Sequence, residues 1–219
     1  MSALEHFEQS LTRSERKLVS TFTTPYQIQK FLDTIHYSSE EIYRSPLRVL
    51  KERIGHCFDG ALFAAALFRR IGYPSLILDM LPSRRDDDHL LALYRINGYW
   101  GAVAKSNFSG LRYREPIFRN LRELVLSYFE QYFNLAREKT LRGYTRPLDL
   151  KSFDRYYWMT RDEPLELIAD HLDSIRRFSL LTRSMISRLS PVDDRSYKTG
   201  LMGADRKGLF KLKGSSSLD

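Results

Sequence analysis

The residues that could do chemistry are concentrated at Gly55-His56-Cys57-Phe58-Asp59-Gly60-Ala61, where the only cysteine of the chain opens an apolar stretch. A thiol on the first residue of a helix sits over the positive end of the helix dipole, which favours thiolate and hence nucleophilic attack. A histidine follows 32 positions later, at His89, heading an alternating run His89-Leu90-Leu91-Ala92-Leu93-Tyr94-Arg95-Ile96. Cysteine on a helix start with histidine on a strand suits thiol acyl transfer, with imidazole as base. The plainer reading treats Cys57 as a small buried hydrophobe.

The other histidines fit the role less well. His6 and His171 lie on charged stretches that read as surface, and His36 ends a helix, where a cation suits the dipole. His56 directly precedes Cys57, so its side chain is expected to point elsewhere or to line the site. His89 as a simple strand-end cap is the bland alternative.

A third group must hold the imidazole. Asn97-Gly98 between two apolar runs is a strong hairpin signal. A two-residue turn sets Ile96 against Tyr99 and His89 against Ser106. A three-residue bulged loop sets Ile96 against Trp100 and His89 against Asn107. Asn107 carries an amide oxygen that can accept the imidazole proton, so the expected triad is Cys57, His89 and Asn107.

These residues must be positioned by a core. The chain has 219 residues, 42% hydrophobic and 13% aromatic, which suits one α+β domain over 1–190, its core at about 45–107. Residues 191–219 read as a partly flexible basic tail. Leu4, Phe7, Leu11, Leu18 and Val19 follow a helical stripe. Thr24-Pro25-Tyr26-Gln27 reads as a capping box opening a helix, and Ser45-Pro46 starts another. A helix from Cys57 to about Ile71, apolar nearly all round, is the expected centre, with Gly72 as its stop. Strands are expected at 75–80, 89–96 and 99–104, an aromatic helix from 121 to 133, and a further helix after Pro164.

Gly55-His56-Cys57, the Asp88-His89 strand start and Gly98-Tyr99-Trp100 together resemble the transglutaminase-like superfamily of papain-type folds. The resemblance covers about Ser45 to Asn107. It implies a cysteine-bearing helix on a small antiparallel sheet, with Cys57 as nucleophile and His89 as base. The aspartate of that pattern is missing, since Trp100 is followed by Gly-Ala-Val-Ala-Lys-Ser-Asn; asparagine holds the imidazole in papain-like proteases. Arg53 to Asp59 is also similar to the cysteine motif of arylamine N-acetyltransferases, without the rest of their pattern.

The implied activity is that of a cysteine hydrolase or acyltransferase acting on peptide or protein amides through a Cys57 thioester, hydrolysis before cross-linking, with the Cys57 amide as first oxyanion donor. The alternative is a catalytically inactive domain serving as a protein-binding module, the aromatic helix with Arg112, Arg114, Arg119 and Arg122 forming its surface. No cofactor is expected. Asp86-Asp87-Asp88 lacks the spacing of a calcium loop, and His56, Cys57, Asp59 and His89 match no metal pattern. A net charge of +8 raises nucleic acid, but arginines mixed with glutamates and no recognition motif argue for a solvated surface instead. No apolar run approaches a membrane span. A lone cysteine and no signal peptide suggest a reduced, cytoplasmic setting. The oligomeric state is not set by the sequence.

Overall fold

The computed structural model describes residues 2–210. The chain begins with α1 (Ala3–Ser10), α2 (Arg13–Val19) and α3 (Pro25–Thr34), each opened by a capping box at Ser2, Thr12 and Thr24. At Thr24, the hydroxyl accepts from the Gln27 amide and the Gln27 side chain accepts from Thr24 N–H, the arrangement the sequence predicts. A short parallel pair, β1 (His36–Tyr37) and β2 (Ile54–Gly55), flanks α4 (Pro46–Glu52). Arg53, at φ 56°, ends α4 in the left-handed region.

Next comes α5 (Cys57–Arg70), buried at every position from Cys57 to Phe68. No apolar stripe is visible because the whole helix is interior. Leu62, Phe63, Leu67 and Phe68 are each 0% exposed, and burying each contributes roughly 1.5–3 kcal/mol. Gly60 is required here, since a Cβ at that position would run into Cβ of Lys105. Gly72, at φ 93°, supplies the stop.

The main sheet follows: β3 (Leu76–Pro82), β4 (His89–Ile96), β5 (Tyr99–Val103) and β6 (Arg114–Phe118), then α6 (Leu121–Leu126), β7 (Leu141–Thr145), β8 (Leu148–Asp149), α7 (Leu165–Ser174) and β9 (Arg177–Ser179). All its pairings are antiparallel, in the order β6-β5-β4-β3-β7-β9, with β8 also on β3. Alternation along β4 separates two cores. Leu90, Ala92 and Tyr94 join Ile77, Val103 and the α5 side chains on one face. Leu91 and Leu93 join Leu78, Met80, Ala102, Tyr128 and Tyr132 on the other. The fold is therefore α+β, a cysteine-bearing helix packed on an antiparallel sheet with helices before and after it.

Several expectations change. The aromatic run 121–133 is not one helix: α6 ends at Leu126, and Phe129–Gln131 is a separate 3-10 turn. Its aromatics still pack as core, with Tyr128 and Tyr132 at 0% and 2% exposure. Much of the supposed tail is built into the structure. After α8 (Arg183–Ile186), residues Asp194–Gly200 form α9 and Arg206–Gly208 a 3-10 turn. The remainder of that tail, 211–219, lies outside the described residues. Among the described residues, no helix is long and apolar enough to cross a membrane.

Candidate active site

Cys57 is the first residue of α5, and Asp59 fixes that helix end. The Asp59 carboxylate accepts from the His56 amide at 3.1 Å and from the Arg44 amide at 2.8 Å. It is 0% exposed, and burial raises its pKa to about 7 against the pull of these donors. The Arg44 guanidinium, itself buried, adds ion pairs to Glu40, to Glu52 at 3.2 Å and to Asp59 at 3.7 Å. His56 turns away from the thiol, its Nε2 3.1 Å from the Ile42 carbonyl, and burial lowers its pKa to about 4. A neutral His56 then donates Nε2–H to that carbonyl.

The thiol is 8% exposed and donates to the Asp88 carbonyl across 3.9 Å. Burial pushes the Cys57 pKa well up, and the carboxyls of Asp88 and Asp87 push it further, with the Leu90 amide opposing them. The dipole contribution, typically 0.3–1 kcal/mol, is outweighed. The resting group is therefore a thiol rather than the thiolate the helix start suggests. The Cys57 amide faces the Tyr37 hydroxyl, and burial raises the Tyr37 pKa out of the working range.

His89 opens β4, as expected, and is 5% exposed. Burial lowers its pKa to about 4, so the ring is neutral at pH 7. Its Nε2 lies 2.8 Å from the Leu111 carbonyl. A carbonyl only accepts, so Nε2 carries the proton and Nδ1 is the free basic nitrogen. The group that sets the tautomer is thus a backbone carbonyl.

Asn107 was expected in that role, through the three-residue turn. The structure adopts the two-residue turn, Ile96 against Tyr99, with Asn97 at φ 49° and Gly98 at φ 88°. The strand β5 ends at Val103, before either candidate partner. Asn107 commits its carboxamide to Asp205, and Ser106 accepts from the Phe108 amide. Lys105 is buried and donates to the Leu32 and Ile35 carbonyls at 2.9 and 2.6 Å, capping α3; burial lowers its pKa to about 8.

Cys57 and His89 meet at one end of the sheet but from different faces. His89 pairs with Met80, and directly paired residues share a face. Its ring lies 6.4 Å from that of Tyr132, in the core opposite α5. Among the described residues, no hydrogen bond joins thiol to imidazole.

The sequence reading passed over Asp79, in mid β3 on the α5 face. It is 2% exposed and its Oδ1 has no partner. Burial, with Asp88 nearby, raises its pKa well above the carboxylate range. Asp88 is raised as well, to about 7, by desolvation and then by the neighbouring Asp87 carboxyl. A carboxylate inside an otherwise apolar strand was the available signal. A raised folded pKa means that the folded state holds a proton the unfolded chain releases, so stability is lost as pH rises from about 4. The two buried histidines oppose this only below their unfolded value of about 6.5. Asp79→Asn is expected to flatten the fall in melting temperature between pH 6.5 and 8.5 and to raise it most at the alkaline end. An unchanged slope in a pH series of thermal scans would contradict a buried neutral carboxyl.

Among the described residues, no three or more His, Cys, Asp or Glu side chains are grouped to hold a metal. No protein-family model matches the chain. No curated protein matches it either. Solved structures do. The calcium-bound form of Legionella pneumophila LapG is 14% identical with a TM-score of 0.39, covering 77% of this chain and 99% of that one. Its EGTA-treated form gives 14%, 0.40, 75% and 98%. A candidate cysteine protease from Cytophaga hutchinsonii gives 20% and 0.30, covering 48% of this chain and 35% of that one. Scores this low assign no residue and carry no argument about activity. The chain runs from a helix opened by cysteine into antiparallel strands of which the second opens with histidine. That order is what the transglutaminase-like resemblance implies.

Proposed function

We propose that this chain is a cysteine hydrolase acting on amide bonds of peptides or proteins, with Cys57 as nucleophile and His89 as base. One observation carries the reading: a thiol on the first residue of α5 shares a sheet end with an imidazole whose Nδ1 is left unprotonated, its Nε2–H donating to the Leu111 carbonyl. Sγ attacks the substrate carbonyl carbon while its proton passes to Nδ1. The Cys57 amide donates to the developing oxyanion once Tyr37 yields that place. Collapse expels the amine, which takes the proton from the imidazolium, and leaves a thioester. Water, deprotonated by Nδ1, then releases the acid and the thiol.

The reaction needs thiol and imidazole on the same side of the β4 start, so it requires His89 to leave the face it shares with Met80. That separation favours a second reading, a silent domain of the same fold that binds protein. The proposed arginine surface fits it poorly, because Arg114 stacks 3.8 Å over Tyr128 and donates to the Gly110 and Ser127 carbonyls.

Capture of the intermediate separates the two. Incubation with a library of peptide thioesters and amides, followed by mass spectrometry, should find an acyl group on Cys57 and none in Cys57→Ser. A library that leaves Cys57 unmodified, with chloromethyl ketone peptides equally inert, would favour the silent domain.

A further inference from the structure

We propose that the segment Asp205–Phe210 is an intramolecular plug, seated in the cleft lined by Tyr37 and His89 and held there by a main-chain clamp, Asn107. The proposal rests on the hydrolase reading for its consequence, though its contacts stand independently.

The clamp is a pair of hydrogen bonds to a single residue. Asn107 Nδ2 donates to the Asp205 carbonyl at 2.8 Å, and the Asp205 amide donates to Asn107 Oδ1 at 2.7 Å. A carboxamide that meets both main-chain groups of one residue reads polypeptide without reading its side chain. The chain leading into the plug is fixed by Ser109, whose amide donates to the Gly200 carbonyl at 2.9 Å and whose hydroxyl donates to the Thr199 carbonyl at 2.7 Å.

Beyond the clamp, Gly208 lies between Tyr37 and Asn107. A Cβ there would stand 2.6 Å from Tyr37 Cδ1 and 3.3 Å from Asn107 Nδ2, so only glycine passes. Tyr37 is the side chain that faces the Cys57 amide. The plug therefore presses on the group that shields the nucleophile. With the segment in place, the cleft bounded by Tyr37, Asp88, His89, Asn107, Gly208 and Phe210 has a volume of about 50 Å³. Gly208 and Phe210 form one wall of that cleft, so a peptide entering it would have to displace them. The same chemistry names the ligand of the open cleft: a polypeptide strand or turn with glycine, or no side chain, at the position against Tyr37.

The test uses two full-length variants. Gly208→Leu forces a side chain against Tyr37. Asp205→Pro keeps its backbone, since φ is already −73°, but removes the N–H that Asn107 reads. Displacement is read by the rate of tryptic cutting at Arg206 and Lys207, and opening by the rate of iodoacetamide alkylation of Cys57. Both rates should rise at least about tenfold in each variant, with melting temperatures close to that of the parent. Cutting that stays slow in both variants would overturn the clamp. Faster cutting with unchanged alkylation would overturn the plug. Faster cutting and alkylation without turnover of any amide would leave the plug standing and remove the hydrolase reading instead.

Discussion

Replacing Asp59 by alanine is expected to lower the stability of the folded chain by about 3–5 kcal/mol, as read from the denaturant midpoint at constant m-value. Two buried N–H donors, those of Arg44 and His56, lose their acceptor together. Each buried donor left unpaired costs about 1–3 kcal/mol. The Arg44 guanidinium, 2% exposed, also loses one of its three carboxylates. Asp59→Asn keeps one acceptor oxygen and should cost roughly half as much. The pH dependence has a definite sign. With its folded pKa at about 7, above an unfolded value of about 3.9, Asp59 contributes most below about pH 4 and less as pH rises to about 7, so the penalty of the substitution should shrink over that range and level off above it. A loss below about 1 kcal/mol would mean that the carboxylate is not the bolt holding the start of α5.

The second large effect concerns the base. His89→Gln retains a donor for the Leu111 carbonyl while removing the basic nitrogen. Under the hydrolase reading, kcat for any amide substrate should fall by about 10²–10⁴-fold, with the melting temperature moving by only a few degrees. His89→Ala should cost similar activity and more stability, because Leu111 then loses its donor. Equal activity in His89→Gln and wild type would assign the proton transfer elsewhere. Asp79, Asp87 and Asp88 are the carboxyls whose charges act on the thiol.

Which parts of this were legible in the sequence follows from where each signal resides. The start, burial and stop of α5 are written in Cys57, the alanine run and Gly72. The hairpin is written in Asn97-Gly98, because only φ > 0 at both positions gives a turn that matches strand twist. The second half of the sheet was not readable. Leu141-Arg142-Gly143-Tyr144-Thr145 has neither clean alternation nor an apolar run, and its pairing with β3 is decided by distant residues. Pro116 sits in β6, an edge strand, where a missing N–H is tolerated.

The site divides the same way. Cys57 and His89 carry their chemistry in their side chains and could be singled out. The partner of His89 is a main-chain carbonyl, for which residue type gives no sign. Asn107 was singled out for a carboxamide that does bind main chain, but that of Asp205. The end of β5 at Val103, short of both Ser106 and Asn107, decided the difference.

The most direct measurement of the central claim is the pH profile of Cys57 alkylation by iodoacetamide, in Gly208→Leu and in Gly208→Leu/His89→Gln, with wild type as the closed reference. The account predicts slow, high-pKa alkylation in wild type. In Gly208→Leu the apparent pKa should lie below the free-thiol value of about 8.5, and His89→Gln should raise it again. An opened Cys57 that titrates like a free thiol, with no response to His89, would contradict an activated pair and leave the chain as a binding domain.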